Sequence, residues 1–217
     1  STTGYAAHKF LNEDIKDEPR GNSNLNPTDA PIIRYGEILV NYAEAAYELS
    51  TVGGAAFTQE DLDKSINVLR DRPGINIPHL EVSGDQPAVN GQTYDDPQRD
   101  PDVAPILWEI RRERRVELIF EGFRLDDLKR WEKLEYTDMV QYPDINRGAW
   151  IDKSNYPDAD LENLEVTEGD EGYLIPASAE ESLRTFDDPR VYLEPIPLDQ
   201  ITLYRDQGVE LEQNPGW

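Results

Sequence analysis

ILWEIRRERRVELIFEGFRLDDLKRW, residues Ile106–Trp131, decides the fold class, because its apolar residues recur at helical spacing and its charges fall into register. Val103, Ile106, Leu107 and Ile110 form one stripe, and Val116, Ile119, Phe120 and Phe123 form another. The spacing predicts a long helix from about Asp102 to Glu121. After Gly122 a shorter helical piece carries Leu125, Leu128 and Trp131. On the long helix Glu109, Glu113, Glu117 and Glu121 share one i,i+4 row. Left alone, such a row repels by a few tenths of a kcal/mol per pair. Arg112, Arg114 and Arg124 each lie three positions from a row member and can offset it. A di-iron carboxylate site on helices needs Glu-x-x-His pairs, and the only histidines, His8 and His79, lie elsewhere. The row therefore reads as a structural Arg/Glu network that holds no metal. Arg124, Asp126, Asp127, Arg130 and Trp131 read as a lock between the helix pair and neighbouring loops.

Toward the N-terminus, IIRYGEILVNYAEAAYELS (Ile32–Ser50) gives a second helix. Its Ile32, Tyr35, Leu39, Tyr42, Ala46 and Leu49 step by three and four and predict one buried face. Thr28 or Asp29 can cap it, with Pro31 near the first turn; Ala43, Ala45 and Ala46 let a neighbouring helix come close. Gly53-Gly54 ends it. Thr58 with Asp61 forms a capping-box pattern opening a helix to about Arg72, with Leu62, Ile66 and Leu69 as its stripe. Residues 31–72 thus read as a tetratricopeptide-type helix hairpin, in a single visible copy. Residues 1–30 read as an extended lead-in. Pro78–Pro101 reads as a long unstructured connection of the kind that is functional or disordered.

Toward the C-terminus, residues 136–190 read as loop, with a short strand allowed near Gly172–Pro176. Tyr192–Pro197 reads as extended, and Leu198–Tyr204 as a last short helix. The chain closes on Gln213-Asn214-Pro215-Gly216-Trp217. Frayed termini select small polar residues, so a final Trp after a turn dipeptide predicts an end folded back and tied down.

At 217 residues and 37% apolar content the chain can bury a sizeable core and reads as one domain. No apolar run is long enough for a membrane-spanning helix. The absence of Cys excludes disulfides, thiolate metal sites and Cys nucleophiles. A net charge of −24 repels phosphates and argues against nucleic acid. Six Lys and fifteen Arg stand beside 45 acids, a Lys-poor acidic surface that a saline medium would screen.

No Gly-x-Ser-x-Gly elbow or Gly-rich phosphate loop is present, and a Ser/His/Asp centre would have to use His8 or His79. With so many acids, a glycosidase pair of carboxylates can always be imagined and carries no weight. The stretch Asp152–Glu171 holds eight acids but lacks the ordered spacing of a calcium loop. No catalytic residue, metal site or cofactor is therefore expected. Aromatic rings in loops are the better candidates, because a flat ring packs against a sugar face or an apolar side chain. Trp150, Tyr156 and Tyr142 are the candidate ligand-binding residues; the plainer alternative is that they pin the loop to the helices. Trp108, Trp131 and Trp217 read as packing residues.

Four of these segments together resemble the SusD/RagB family. Ile32–Ser50 is similar to the family's RYAEVLLNYAEA helix, and INVLRDRPGI (Ile66–Ile75) to its INxIRxRAGI element. Ile106–Trp131 is similar to its IRxERRxELxFEGxRxxDLxRW block, and YLEPIPLDQITLYRDQGVELEQNPGW (Tyr192–Trp217) to its C-terminal signature. TGYAAHKFL (Thr3–Leu11) resembles its TGYxxxKF lead-in. The resemblance implies an all-α, SusD-like helical fold with long irregular loops, of which this chain is the C-terminal portion. It also implies a non-enzymatic surface lipoprotein of the outer membrane, anchored by a lipidated Cys that this chain lacks. Such proteins capture oligosaccharides, or in some members peptides, and deliver them to a TonB-dependent, SusC-like β-barrel transporter. Glycan contacts vary within the family and come largely from the half missing here, so no binding residue transfers by motif. Two alternatives are kept: a scaffold that only docks on the transporter, and a glycoside hydrolase.

Overall fold

Arg34, at the foot of the first helix, commits its guanidinium to two glutamates more than eighty residues away, and such long-range ties organise this chain. The structure, a computed structural model, describes residues 3–21, 27–29, 31–157, 161, 164–176 and 183–217. It is helix-rich, 36% helical and 10% strand, and its contacts divide it into two compact units. One comprises Lys9–Arg124, the other Ser1–His8 with Leu125–Trp217.

In the Lys9–Arg124 unit, α1 (Tyr35–Thr51) packs against α4 (Pro105–Glu117), which runs antiparallel to it. Gly36 sits beside Glu117, Asn41 accepts from Arg114, and Arg111 reaches Glu48. Between them lie α2 (Gln59–Asp63) and α3 (Ile66–Arg70), a helical turn broken at Lys64-Ser65. Asp61 Oδ2 accepts from the Thr58 backbone N–H at 2.9 Å, the reciprocal half of the capping box. Leu39, Val40, Ala43, Leu62, Ile66, Leu69, Ile106 and Ile110 form one buried core with Leu80 and Leu118. Its central residues, including Val40, Leu62, Ile66 and Ile110, are fully excluded from water.

The buried face of α1 differs from the expected one. Gly36, Leu39, Val40, Ala43 and Tyr47 point inward. Tyr35, Ile38, Tyr42 and Leu49 remain exposed, and Ile32 is 94% exposed. The helix carries apolar residues on two sides, and periodicity alone could not say which of them meets α4. It also begins later than Thr28 or Asp29 would cap it: Arg34 is the extended N-cap residue. The first stripe is buried as expected, whereas Val116, in the last turn of α4, is exposed; Ile119 and Phe120 are exposed beyond the helix, which stops at Glu117.

The connection Pro78–Pro101 contains a three-stranded antiparallel meander, β1 (Glu81–Ser83), β2 (Gln86–Val89) and β3 (Gln92–Thr93). It is tied down by side-chain amides. Asn67 accepts from Leu80 N–H at 2.8 Å and donates back to Leu80 C=O at 3.0 Å. Gln59 accepts from Val82 N–H at 2.9 Å.

The division between units falls within α5 (Phe123–Arg130). The second unit holds another three-stranded sheet, β4 (Trp150–Asp152), β5 (Val166–Glu168) and β6 (Glu171–Leu174), in the order β4-β6-β5. Thr3 C=O flanks it by accepting from Ala149 N–H at 2.8 Å. These two sheets qualify the all-α expectation. Their strands are two to four residues long, too short for an alternating pattern to stand out from loop.

Helix α6 (Leu198–Asp206) precedes the tail and has no buried residue. The tail is fastened to residues 190–196. Gln213 accepts from Ile196 N–H at 2.7 Å and donates to Ile196 C=O at 2.9 Å. Trp217 donates its indole N–H to Leu193 C=O at 2.9 Å, under the Arg190 guanidinium at 5.3 Å from the ring centroid. The terminal ring is tied down as expected yet stays half exposed, at 50%.

Candidate functional site

Each carboxylate of the row Glu109, Glu113, Glu117 and Glu121 faces a cation, most of them from outside α4. Arg34 donates from Nε to Glu121 Oε2 at 2.8 Å and from Nη1 to Glu117 Oε1 at 2.9 Å. It also reaches Glu117 C=O at 3.1 Å. Arg72 pairs with the other oxygen of Glu117 at 2.5 Å, and Lys9 binds Glu121 and the Glu117 carbonyl. Arg70 binds Glu113 and donates to Pro78 C=O at 2.7 Å. Arg112 pairs with Glu109, whose Oε2 also accepts from Tyr94 at 2.9 Å. Sequence spacing had pointed to Arg112, Arg114 and Arg124 as the offsetting cations. Of these Arg112 serves the row, while Arg114 turns to Asn41 and Glu44 and lies over the Phe123 ring at 5.7 Å.

The network sets the local ionisation. The Arg34 hydrogen bonds hold the Glu121 carboxyl below the usual carboxylate range. Glu109 moves the other way, raised by burial, and its Oε1 is buried without a hydrogen-bond partner. Burial beside that carboxylate pushes the Tyr94 hydroxyl up to about 12. Among the described residues, no three His, Asp or Glu side chains are grouped to hold a metal. With every carboxylate of the row facing a cation, its chemistry is cohesion between α1, α3 and α4.

Where α4 ends, Phe10, Pro31, Ile32, Phe120 and Phe123 line a shallow open groove over Glu121. Phe10 and Phe120 both have positive φ, 63° and 64°, which is unusual for a bulky residue. His79 Nε2 lies 2.7 Å from Asp71 Oδ1, with both side chains largely exposed.

The three loop aromatics occupy different settings. Tyr142 precedes a 3-10 turn and packs edge-on against Tyr136, with centroids 6.0 Å apart. Tyr156 ends another 3-10 turn and is 53% exposed. Trp150 opens β4, 54% exposed, and lies directly opposite Tyr173 of β6, itself 50% exposed. Direct cross-strand partners share a face with Cβ atoms about 4.5–5.5 Å apart, so both side chains leave the sheet on the same, solvent-facing side. On the opposite side Gly172 and Leu174 are buried. Sequence reading missed Tyr173 as a partner, since pairing across more than twenty residues leaves no local signal. Of the acidic stretch Asp152–Glu171, residues 158–160, 162 and 163 lie outside the described residues. Trp108 packs against the core and donates to Asp96 at 3.0 Å, which helps keep that carboxyl ionised. Trp131 lies under Arg130, whose guanidinium is 4.9 Å from a ring centroid.

Among the described residues no helix is long and apolar enough to cross a membrane. The sequence profile described as the SusD family matches residues 1–217. Among solved structures, a SusD-like carbohydrate binding protein from Bacteroides fragilis NCTC 9343 is similar, with 26% identity and a TM-score of 0.43. The match covers 80% of this chain and 28% of that one, so the chain spans less than a third of that protein's length. Comparison with curated proteins gives no match.

Proposed function

The chain belongs to the SusD family, and from that premise we propose that it is part of a non-enzymatic surface receptor that holds oligosaccharides. The observation that carries the reading is the exposed Trp150–Tyr173 pair. Leaving two large rings in water forgoes burial that would stabilise the fold, and a ring presented flat is what a pyranose face packs against. The receptor passes its ligand to a TonB-dependent β-barrel transporter in the outer membrane, where a lipid anchor holds it. The hairpin of α1 with α2 and α3 supports a tetratricopeptide-like scaffold for that role. In this reading no bond is made or broken, in keeping with α4 carboxylates that are taken up by guanidinium groups.

A glycan and peptide array probed with this chain tests the reading. Retention of oligosaccharides without their turnover supports it, peptide-selective retention replaces glycan with peptide as ligand, and released reducing ends would make the protein a hydrolase. A second reading, a scaffold that only grips the transporter, is favoured by the exposed stripe of Tyr35, Ile38, Tyr42 and Leu49 on α1. It predicts co-purification with the transporter and an empty array.

A further inference from the structure

We infer that the Trp150–Tyr173 face accepts oligosaccharides free of acidic groups and rejects those bearing uronate or sulfate. This rests on the glycan-binding reading above and adds to it the charge class of the ligand and the residues that select it.

The platform is rigidly backed. A side chain at Gly172 would meet the Thr167 hydroxyl at 2.4 Å, so β5 and β6 approach there as only glycine permits. That hydroxyl accepts from Tyr173 N–H at 3.1 Å, fixing the strand that presents the ring. Two residues along, the next cross-strand pair on that face is Asp152 opposite Glu171. Strand side chains alternate with period two, so these carboxylates lie on the same face as the rings. Asp152 Oδ1 accepts from Ser154 N–H at 2.9 Å and from its hydroxyl at 2.6 Å. Those bonds hold the Asp152 carboxyl below its ordinary range, charged at neutral pH. Glu168 pairs with Glu171 on the other side of β6, Asp170 sits in the turn between β5 and β6, and Glu165 directly precedes β5. Across residues 150–156 and 164–174 the sole cation is Lys153.

Two rings bordered by carboxylates suit a sugar that offers a C–H face for packing and hydroxyls for charge-assisted hydrogen bonds. An acidic sugar would bring its own charge onto a face that already carries the Asp152 and Glu171 carboxylates, with repulsion acting over a Debye length of about 10 Å at 0.1 M salt. Its repulsion is therefore strong at low salt and fades as salt rises.

The test is isothermal titration of the 217-residue chain with neutral gluco-, xylo- and manno-oligosaccharides, and with oligogalacturonate and sulfated oligosaccharides of matched length. At 20 mM salt we expect at least one neutral series to bind, and every acidic series to bind at least tenfold more weakly or not at all. For the acidic ligand nearest in structure to the binder, the gap should narrow several-fold at 0.5 M salt. Trp150→Ala and Tyr173→Ala should each weaken neutral binding at least tenfold, with Trp150→Phe recovering part of it. Asp152→Asn with Glu171→Gln should narrow the neutral–acidic gap. Tyr204→Ala, an exposed aromatic in α6, should change nothing, and unaltered circular dichroism establishes that the variants fold. Acidic glycans binding as tightly as neutral ones, or neutral binding indifferent to both ring deletions, overturns this inference and leaves glycan binding standing. Silence toward every glycan overturns both.

Discussion

Replacing Arg34 by alanine removes the most connected cation of the α1–α4 interface. Arg34 makes hydrogen bonds to both Glu121 oxygens, to Glu117 Oε1 and to the Glu117 carbonyl. The side chains of Arg34, Glu117 and Glu121 are 19%, 8% and 11% exposed. Deleting one partner of a buried pair costs about 3–5 kcal/mol, because a desolvated charge is left behind. Here Glu117 retains Arg72 and Glu121 retains Lys9, and the site is not fully dry. We therefore expect a loss of about 2–3 kcal/mol at pH 7. Two units need not melt together, so the measurement is hydrogen exchange at α4 amides, backed by urea unfolding. A cycle with Glu121→Gln should give a coupling of about 1–2 kcal/mol. The pH dependence has a definite sign. The folded Glu121 carboxyl titrates below its unfolded value of about 4.3. Its contribution is therefore complete above that value and lost as pH falls through the folded one. The gap between wild type and Arg34→Ala should accordingly hold down to about pH 4.3 and shrink below it. A loss below about 0.5 kcal/mol, or one indifferent to pH, would refute the view that this cluster binds α1 to α4.

Other expectations concern the core and its ties. Leu62→Ala should cost about 2–5 kcal/mol in urea unfolding, since its fully buried side chain sits where α2 meets the core. Asn67→Ala strands the Leu80 N–H, while the Leu80 C=O keeps the Gln59 amide at 3.0 Å; a cost of about 1–3 kcal/mol is expected, with faster exchange confined to the β1–β3 meander. Gly122 has φ of 87° with open space where a side chain would go. Gly122→Ala should therefore lower stability by backbone strain alone, about 1–2 kcal/mol, and Gly122→Asn by less.

The features legible in the sequence were those fixed by near neighbours. Thr58 and Asp61 cap one turn, Leu62, Ile66 and Leu69 share a stripe, and Ile106 with Ile110 face the core, each settled within four residues. What escaped was set by distant partners. Arg34 and Glu121 lie 87 residues apart, and nothing near Glu121 marks Arg34 as its counter-ion. Trp150 was legible as an aromatic in a loop-like stretch, but the platform required Tyr173, delivered by pairing of three- and four-residue strands. The buried side of α1 was misjudged for another reason: apolar residues occupy both sides, and only the arrival of α4 chooses between them.

The fastening of the tail makes α6 a flap on a latch. With no buried residue of its own and only Ile201 half-buried, this helix is kept in place chiefly by the clasp between Gln213 and Ile196 that closes the loop around it. Such an element should unzip as one piece without disturbing its surroundings, its amides exchanging at a common rate. Gln213→Ala should release that whole set at once while α4 keeps its protection. Scattered, residue-by-residue exchange along 198–206 would mean that the helix holds itself.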